Sequence, residues 1–329
     1  MGDMSHIPPE STLELGLDID VPDPERFSME HWLYLTRAFG DDVPEAPHEL
    51  APYPALLTTD AVLRRQLQEW GCIDNTGHVT PETSELLNAV VNAPVKLWGQ
   101  VRFPENTHTR SIEVPEDAKD WGIPSTTEVT PRVPFLVSRI GDVMLLCTST
   151  PQGVTIAARA TSAEPTADLA AGMWEIIDPD KAWPAARDLA VVPAALVDKV
   201  TADDSLGRYG QCPDEDEARS RVGALVQEAG ASSDCVPVLT KLVTEKTAAI
   251  AQAVVSLTTS SSGVTHRFDN DAVAVVMLQG KNPTAYVVSP DRSNGQDVVA
   301  YEPGDVSHLK KGVERLVSKA NRSLRSSKS

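Results

Sequence analysis

Val133-Pro-Phe-Leu-Val-Ser-Arg-Ile-Gly-Asp-Val-Met-Leu-Leu-Cys-Thr148 reads as two β-strands joined by a tight turn. Its apolar runs are short and rich in Val, Leu and Ile, and they break at Gly141-Asp142, a pair suited to a hairpin connection. A third run, Val154 to Ala160, follows Pro151-Gln152-Gly153, so the segment predicts an antiparallel meander. Upstream, Val95 to Phe103 predicts another strand, and two helical patterns precede it. One starts at Thr59-Asp60 and runs through Val62, Leu63, Leu67 and Trp70 to Gly71; the other starts at Thr80-Pro81 and carries Leu86, Leu87, Val90 and Val91. Downstream, Pro165 opens a helix with Leu169, Met173, Ile176 and Ile177 on its apolar stripe.

At the start of the chain, Leu13, Leu15, Leu17, Ile19 and Val21 alternate with polar residues, the period-2 pattern of a half-buried strand, and Pro22 ends it. Ser28 can cap a helix bearing Met29, Trp32, Leu33 and Phe39, with Phe27 placed to pack on Trp32 as a hydrophobic staple and Gly40 as the stop.

The same order then recurs. Helical patterns near 214–229 and 233–246 precede a strand at Ile250 to Thr258, a meander at Ala272 to Leu278, Thr284 to Val288 and Val298 to Tyr301, and a helix from Asp305 through Leu309, Val313, Leu316 and Val317. The first strand is displaced by roughly 154 positions and the later ones by roughly 140, the shift expected when one copy carries a longer loop. The sequence therefore predicts an α+β fold of two quasi-symmetric halves, a central antiparallel sheet flanked by helical pairs. Residues 12–178 form the first half and 179–318 the second, between a flexible start at 1–11 and a basic flexible tail at 319–329.

The chain has 329 residues, 41% of them hydrophobic, enough for a core that needs neither metal nor disulfide. Its formal charge is -18, from 47 acidic residues against 29 Lys and Arg, which argues against nucleic acid and anionic membrane as partners. The four cysteines, at 72, 147, 212 and 235, form no CxxC pair and sit in apolar segments, so free thiols are expected. The acidic first thirty residues lack the apolar stretch of a signal peptide, and no run approaches the ~20 residues of a membrane helix; the expected location is cytoplasmic.

Catalytic patterns are missing from the sequence. It has no GxxxxGK[ST] or GxGxxG to cradle phosphate, no HExxH and no GxSxG, and its seven histidines are scattered. Asp18, Asp20 and Asp23 lack the Gly and the Glu that would complete a calcium loop. The expectation is a protein that is not an enzyme and uses no cofactor. An enzyme without a recognisable motif stays open as an alternative, since any of 47 acidic residues could pair once folded, as does a dimeric ligand-binding or regulatory domain.

The segment Pro104 to Pro131 is long for an irregular stretch, and it holds Ile112, Val114, Trp121 and Ile123 among Pro, Thr and acids. Spacers rarely carry Trp with paired aliphatics, so it reads as a binding loop, with Trp98 and Phe103 leading into it.

The order of elements resembles the EspG family, the cytoplasmic chaperones of type VII (ESX) secretion in mycobacteria and related actinobacteria. The resemblance is carried by Leu13 to Phe39, the two helices before Val95-Lys-Leu-Trp-Gly99, the long loop, the meander quoted above, and a second copy ending in Leu309-Lys-Lys-Gly-Val-Glu-Arg-Leu-Val317. It implies two α+β halves without catalytic residues or cofactor. It also implies binding of the tip of a PE-PPE-like heterodimer, or of another small helical-hairpin substrate, keeping it soluble and directing it to the secretion machine. By position it further implies contacts from the strand with Trp98, Arg102 and Phe103, from the long loop, from the strand with Val254 and Leu257, and from the helices at 214–246. A homodimer is the other association this layout admits.

Overall fold

The structure is a computed structural model, and it describes residues 27–39, 60–111, 126–150, 153–203, 206, 214–258, 265–293 and 295–326. The strand expected at Leu13 to Val21 lies outside the described residues, as do Ile112, Val114, Trp121, Ile123 and Cys212.

Helices α1 (Met29–Phe39), α2 (Asp60–Glu69) and α3 (Pro81–Val91) lead into strand β1 (Val95–Arg102). A single 3-10 turn, Pro104–Asn106, then opens a hairpin, β2 (His108–Ser111) with β3 (Thr126–Val129). The meander follows as β4 (Arg132–Ile140), β5 (Val143–Thr150) and β6 (Gly153–Ala160), and helix α4 (Pro165–Ile177) closes it. A short strand β7 (Ala190–Pro193) precedes α5 (Ala194–Ala202), α6 (Glu215–Glu228) and α7 (Cys235–Thr244). Four strands, β8 (Lys246–Thr258), β9 (Thr265–Gln279), β10 (Thr284–Ser293) and β11 (Gln296–Pro303), run into the last helix, α8 (Val306–Ser326).

Among the described residues nine strands form one sheet in the order β6-β5-β4-β1-β8-β9-β10-β11-β7, and every pairing of these is antiparallel. From the β1–β8 seam outward the order reads alike on both sides, with β7 added at one edge. At the seam Trp98 stands opposite Val254.

The sheet buries both faces. On one, α4 and α8 cover a cluster that includes Leu97, Phe135, Val137, Ala253, Val255, Val273 and Val275. Helix α4 approaches closely because it has Gly172, where a Cβ would lie 2.6 Å from Leu146 and 2.8 Å from Val137. Gly312 does the same for α8, where a Cβ would meet Val273 at 2.7 Å. On the other face the helices split into two groups. Those of the first half cover Leu136, Leu145 and Cys147, and α5 to α7 cover Leu278, Tyr286 and Tyr301.

The structure departs from the sequence reading in three places. The stretch from Pro104 to Pro131 is not irregular at its ends: Arg110 pairs with Thr127 in a two-stranded ladder whose Thr-rich arms favour extended backbone. Strand β7 and helix α5 were not expected. The basic end of the chain stays helical to Ser326, because Leu316, Ala320 and Leu324 continue the buried stripe and Lys319 Nζ reaches Asp271 Oδ1 at 2.6 Å. Cys72, Cys147 and Cys235 are free thiols, and burial pushes that of Cys147 up to about 12.

At the start of α1 the staple forms as expected, with Phe27 edge-on to Trp32 at 6.4 Å. Beside it, buried His31 ties α1 to α2. The Ser28 amide donates to His31 Nδ1 at 3.0 Å, which leaves the ring hydrogen on Nε2 for Gln66 Oε1, also at 3.0 Å. Burial, opposed by Gln66 and Glu30, lowers the imidazole pKa below the ordinary 6.5. The unfolded chain therefore binds the proton more readily. Stability from this group is complete above 6.5 and is lost as pH falls toward the lowered folded value, with a slope of at most about 1.4 kcal/mol per pH unit. Urea midpoints between pH 7.5 and 5 should fall less steeply in His31→Gln than in wild type; equal slopes would show that other groups set the dependence.

Candidate functional site

Alternation along a strand decides which residues can share a surface. On β1, Leu97, Gly99 and Val101 point into the α4–α8 core, so Lys96, Trp98, Gln100 and Arg102 point to the other face. On β8 the pairing places Ile250, Gln252, Val254 and Ser256 beside them. This strip lies between the two helix groups. Arg102, Gln252 and Arg267 are exposed on it, and Trp98, Gln100 and Ile250 are half-buried.

Trp98 is held in one orientation. Its Nε1 donates to Ser256 Oγ at 2.7 Å, and the Arg267 guanidinium carbon lies 5.8 Å from the ring centroid, a cation–π contact. At the other end, Gln100 Oε1 accepts from Arg102 Nη2 at 2.6 Å and from Nε at 2.9 Å. The root of the β2–β3 hairpin closes this end of the strip. There Phe103 N donates to Pro131 O at 3.0 Å, Thr107 and Thr130 share a hydroxyl hydrogen bond of 2.8 Å, and Glu105 lies 3.9 Å from Lys246 Nζ.

The expected contact residues thus separate. Trp98 and Arg102 lie on the strip, with Val254 beneath its surface at 9% exposure. Leu257 is buried in the opposite core and Phe103 packs against that same core, so neither offers contact area here. Sequence reasoning missed Gln100, Gln252, Ser256 and Arg267. Parity was the available signal: positions 98 and 103, or 254 and 257, differ by an odd number and cannot share a face of a regular strand.

Two other features merit weighing as chemistry. Lys241 Nζ lies 2.6 Å from Asp188 Oδ2, near Tyr286 and Glu245, and burial raises both the Tyr286 and the Glu245 pKa. Tyr286 is wholly buried, while the Lys241 and Asp188 side chains are 32% and 40% exposed, and the group ties α7 to β10. A wide groove of about 1040 Å³ runs beside α8, but its Arg315, Asp291 and Lys319 are engaged in ion pairs with neighbouring strands or helix. Among the described residues no group of three His, Cys, Asp or Glu is placed to hold a metal, and no helix is long and apolar enough to cross a membrane.

No protein-family model matches the sequence, and neither does any curated protein. Solved structures do match. The fold is similar to that of the Mycobacterium tuberculosis type VII secretion system chaperone EspG5, solved in complex with a PE25–PPE41 dimer. The TM-score is 0.56 at 14% identity, over 88% of this chain and 94% of that one. With its seam-centred antiparallel sheet and paired helices, the chain has an EspG-like α+β fold.

Proposed function

We propose that the protein is a non-catalytic chaperone of type VII secretion that binds a helical-hairpin substrate, PE-PPE-like, in the cleft between its helix groups. It would act in the cytoplasm, keeping the substrate soluble before export. The observation that carries this reading is the strip over β1 and β8, open at Arg102, Gln252 and Arg267, with half-buried Trp98 fixed on it. Lys96 to Arg102 spans about 20 Å of strand, and the four strands from β4 to β9 span about 14 Å. Two packed helices, each about 10 Å across, present a tip of about that size. The floor alone falls short of the roughly 800 Å² per partner that a stable complex buries, so the helical walls and residues 112–125 beyond the hairpin supply the rest. Ile112, Val114, Trp121 and Ile123 are the proposed anchors there, because aromatic and aliphatic groups carry most interface energy.

The test is capture from an actinobacterial extract by the wild-type chain and by Gln252→Trp, which fills the middle of the floor at an exposed position. Wild type should recover helical-hairpin secretion substrates. Gln252→Trp should keep its melting temperature and lose at least about tenfold in affinity, or 1.4 kcal/mol. Replacing residues 112–125 by a short Gly-Ser link should also weaken binding, with little change in stability, since loop length alters closure entropy only slowly. Equal recovery by all three proteins would place the dock elsewhere.

A further inference from the structure

The two faces of the sheet are covered in opposite ways. On the cleft face the helices lie over the ends and leave the middle open, whereas on the other face α4 and α8 lie side by side over the six strands from β5 to β10. Beyond that pair lie β6 at one edge and β11 with β7 at the other. The two edges differ in what they present to this side. Strand β6 turns Thr155, Ala157 and Arg159 toward it, and Arg159 Nε donates to Glu175 Oε1 of α4 at 2.8 Å. Strand β7 buries Ala190 and Val192 under α5 to α7, so by alternation Val191, and Leu189 just before the strand, point the other way. They are the most exposed large apolar side chains among the described residues, Leu189 at 63% and Val191 at 53%. Ala300 and Val298 of β11 stand beside Val191 and Pro193 and extend the same apolar floor.

The floor runs into the groove beside α8, where Val298 and Ala194 line it. Most charges of that groove are answered within the chain: Arg315 by Asp291 and Glu302, Lys319 by Asp271, Glu314 by Lys310, and Arg292 by Asp297. Lys311 and Arg322 line the same helical wall, are exposed, and make no ion pair among the described residues. They are eleven positions apart, three turns of α8 or about 16 Å.

This geometry sets the shape of an occupant. From β10 to β7 is two strand spacings, about 10 Å, the width of one helix. A helix laid there continues the α4–α8 layer and packs on α8 from the side opposite α4. An added strand is less suited, because Pro193 has no amide hydrogen and Val191 O already accepts from Cys235 Sγ at 3.4 Å.

We infer that the strip from α8 to the β7 edge is a second docking surface, for an amphipathic helix of another protein. That helix lays an apolar stripe on Leu189 and Val191 and carries two Asp or Glu, eleven positions apart, against Lys311 and Arg322. Covering the two side chains removes exposed apolar surface from water, and the acids give the helical wall its counter-charge and the partner its register. The cleft opens on the opposite face, so both surfaces can be engaged at once.

The probe is a synthetic peptide of about four helical turns with a Leu stripe bordered by two Glu eleven positions apart, beside the same peptide with Lys at both positions. Binding of the labelled peptides to the full chain is followed by fluorescence anisotropy in 50 mM and 1 M NaCl. The Glu peptide should bind at least tenfold more tightly at low salt, and the gap should narrow in 1 M NaCl, where screening extends to about 3 Å. Val191→Asp and, outside the strand, Leu189→Asp should each weaken the Glu peptide at least tenfold at an unchanged melting temperature. Lys311→Glu with Arg322→Glu should reverse the preference. Gln252→Trp, in the cleft, should leave peptide binding as in wild type, so the two docking readings stand or fall separately. If neither peptide binds, if the Lys peptide binds as well or better, or if Gln252→Trp removes the binding, the inference is overturned. It is overturned too if sedimentation shows a wild-type dimer that Val191→Asp makes monomeric, because a second copy then covers the strip.

Discussion

Gly99→Val should give a chain that does not fold. Gly99 sits in the middle of β1 between Phe135 of β4 and Ala253 of β8, at the seam that joins the two halves of the sheet. A Cβ at this position would lie 1.8 Å from Gln252 O, 2.8 Å from its carbonyl carbon and 2.9 Å from Ala253 Cα. These are backbone atoms hydrogen-bonded in a central strand, and no rotamer change moves them. The whole seam would have to open, and the loss exceeds the roughly 4–5 kcal/mol that marks exceptional substitutions. Against a typical total of about 5–15 kcal/mol, the native population does not survive. The measurement is the soluble yield and the chemical-shift dispersion of Gly99→Val and Gly99→Ala beside Gly223→Ala. In α6 a Cβ at Gly223 meets nothing within 4 Å, so that variant should be as stable as wild type or better by up to about 1 kcal/mol. A soluble Gly99→Val with a native spectrum would mean that β1 and β8 are not in register as described.

Asp168→Ala should be the most damaging side-chain truncation outside the apolar core. Asp168 is in the first turn of α4, 7% exposed, and it accepts from Ser162 N through Oδ1 at 2.9 Å and Oδ2 at 3.1 Å. Its second role is to face Arg139, whose side chain is only 16% exposed and whose Nη2 donates to Ser162 O at 2.8 Å. Deleting the carboxylate leaves a guanidinium in a mostly dry site and unties the loop that leads into α4. Breaking one side of a buried pair costs about 3–5 kcal/mol. Replacing both partners, Asp168→Leu with Arg139→Met, should recover most of that loss, because no charge is stranded. Urea midpoints of the single and double variants decide the matter; a double variant as unstable as the single one would assign the effect to the Ser162 contacts.

The parts of this fold that could be read from the chain are those where local signals agree. Val133 to Ala160 alternates strands with Gly-Asp and Pro-Gln-Gly turns, and β4, β5 and β6 appear with boundaries close to those expected. Thr80-Pro81 and Pro165 likewise mark helix starts that the structure keeps. Leu189 to Val197 was illegible for the opposite reason. It is a run of Leu, Ala and Val divided by Pro193, and periodicity cannot tell a four-residue strand and an uncapped helix from one buried segment. The arms of the β2–β3 hairpin are polar, so no apolar alternation announced them. In the cleft, Trp98 was visible as an unusual residue in a strand. Its partners Ser256 and Arg267 were not, because only the register of β1 on β8 and of β8 on β9 brings them to it.

The seam also has a consequence for how the protein is made. Trp98 and Ser256, which meet across it, are 158 positions apart in the chain. At about 5–20 residues per second, a ribosome takes roughly 8 to 30 s to deliver β8 after β1 has emerged. For all that time β1, with its row of unsatisfied amides and carbonyls, is an edge strand, since among the described residues of the first half only β4 pairs with it. Cellular yield should therefore depend on how fast codons between the two strands are translated, and on trigger-type holding factors, more than on the stability of the finished sheet.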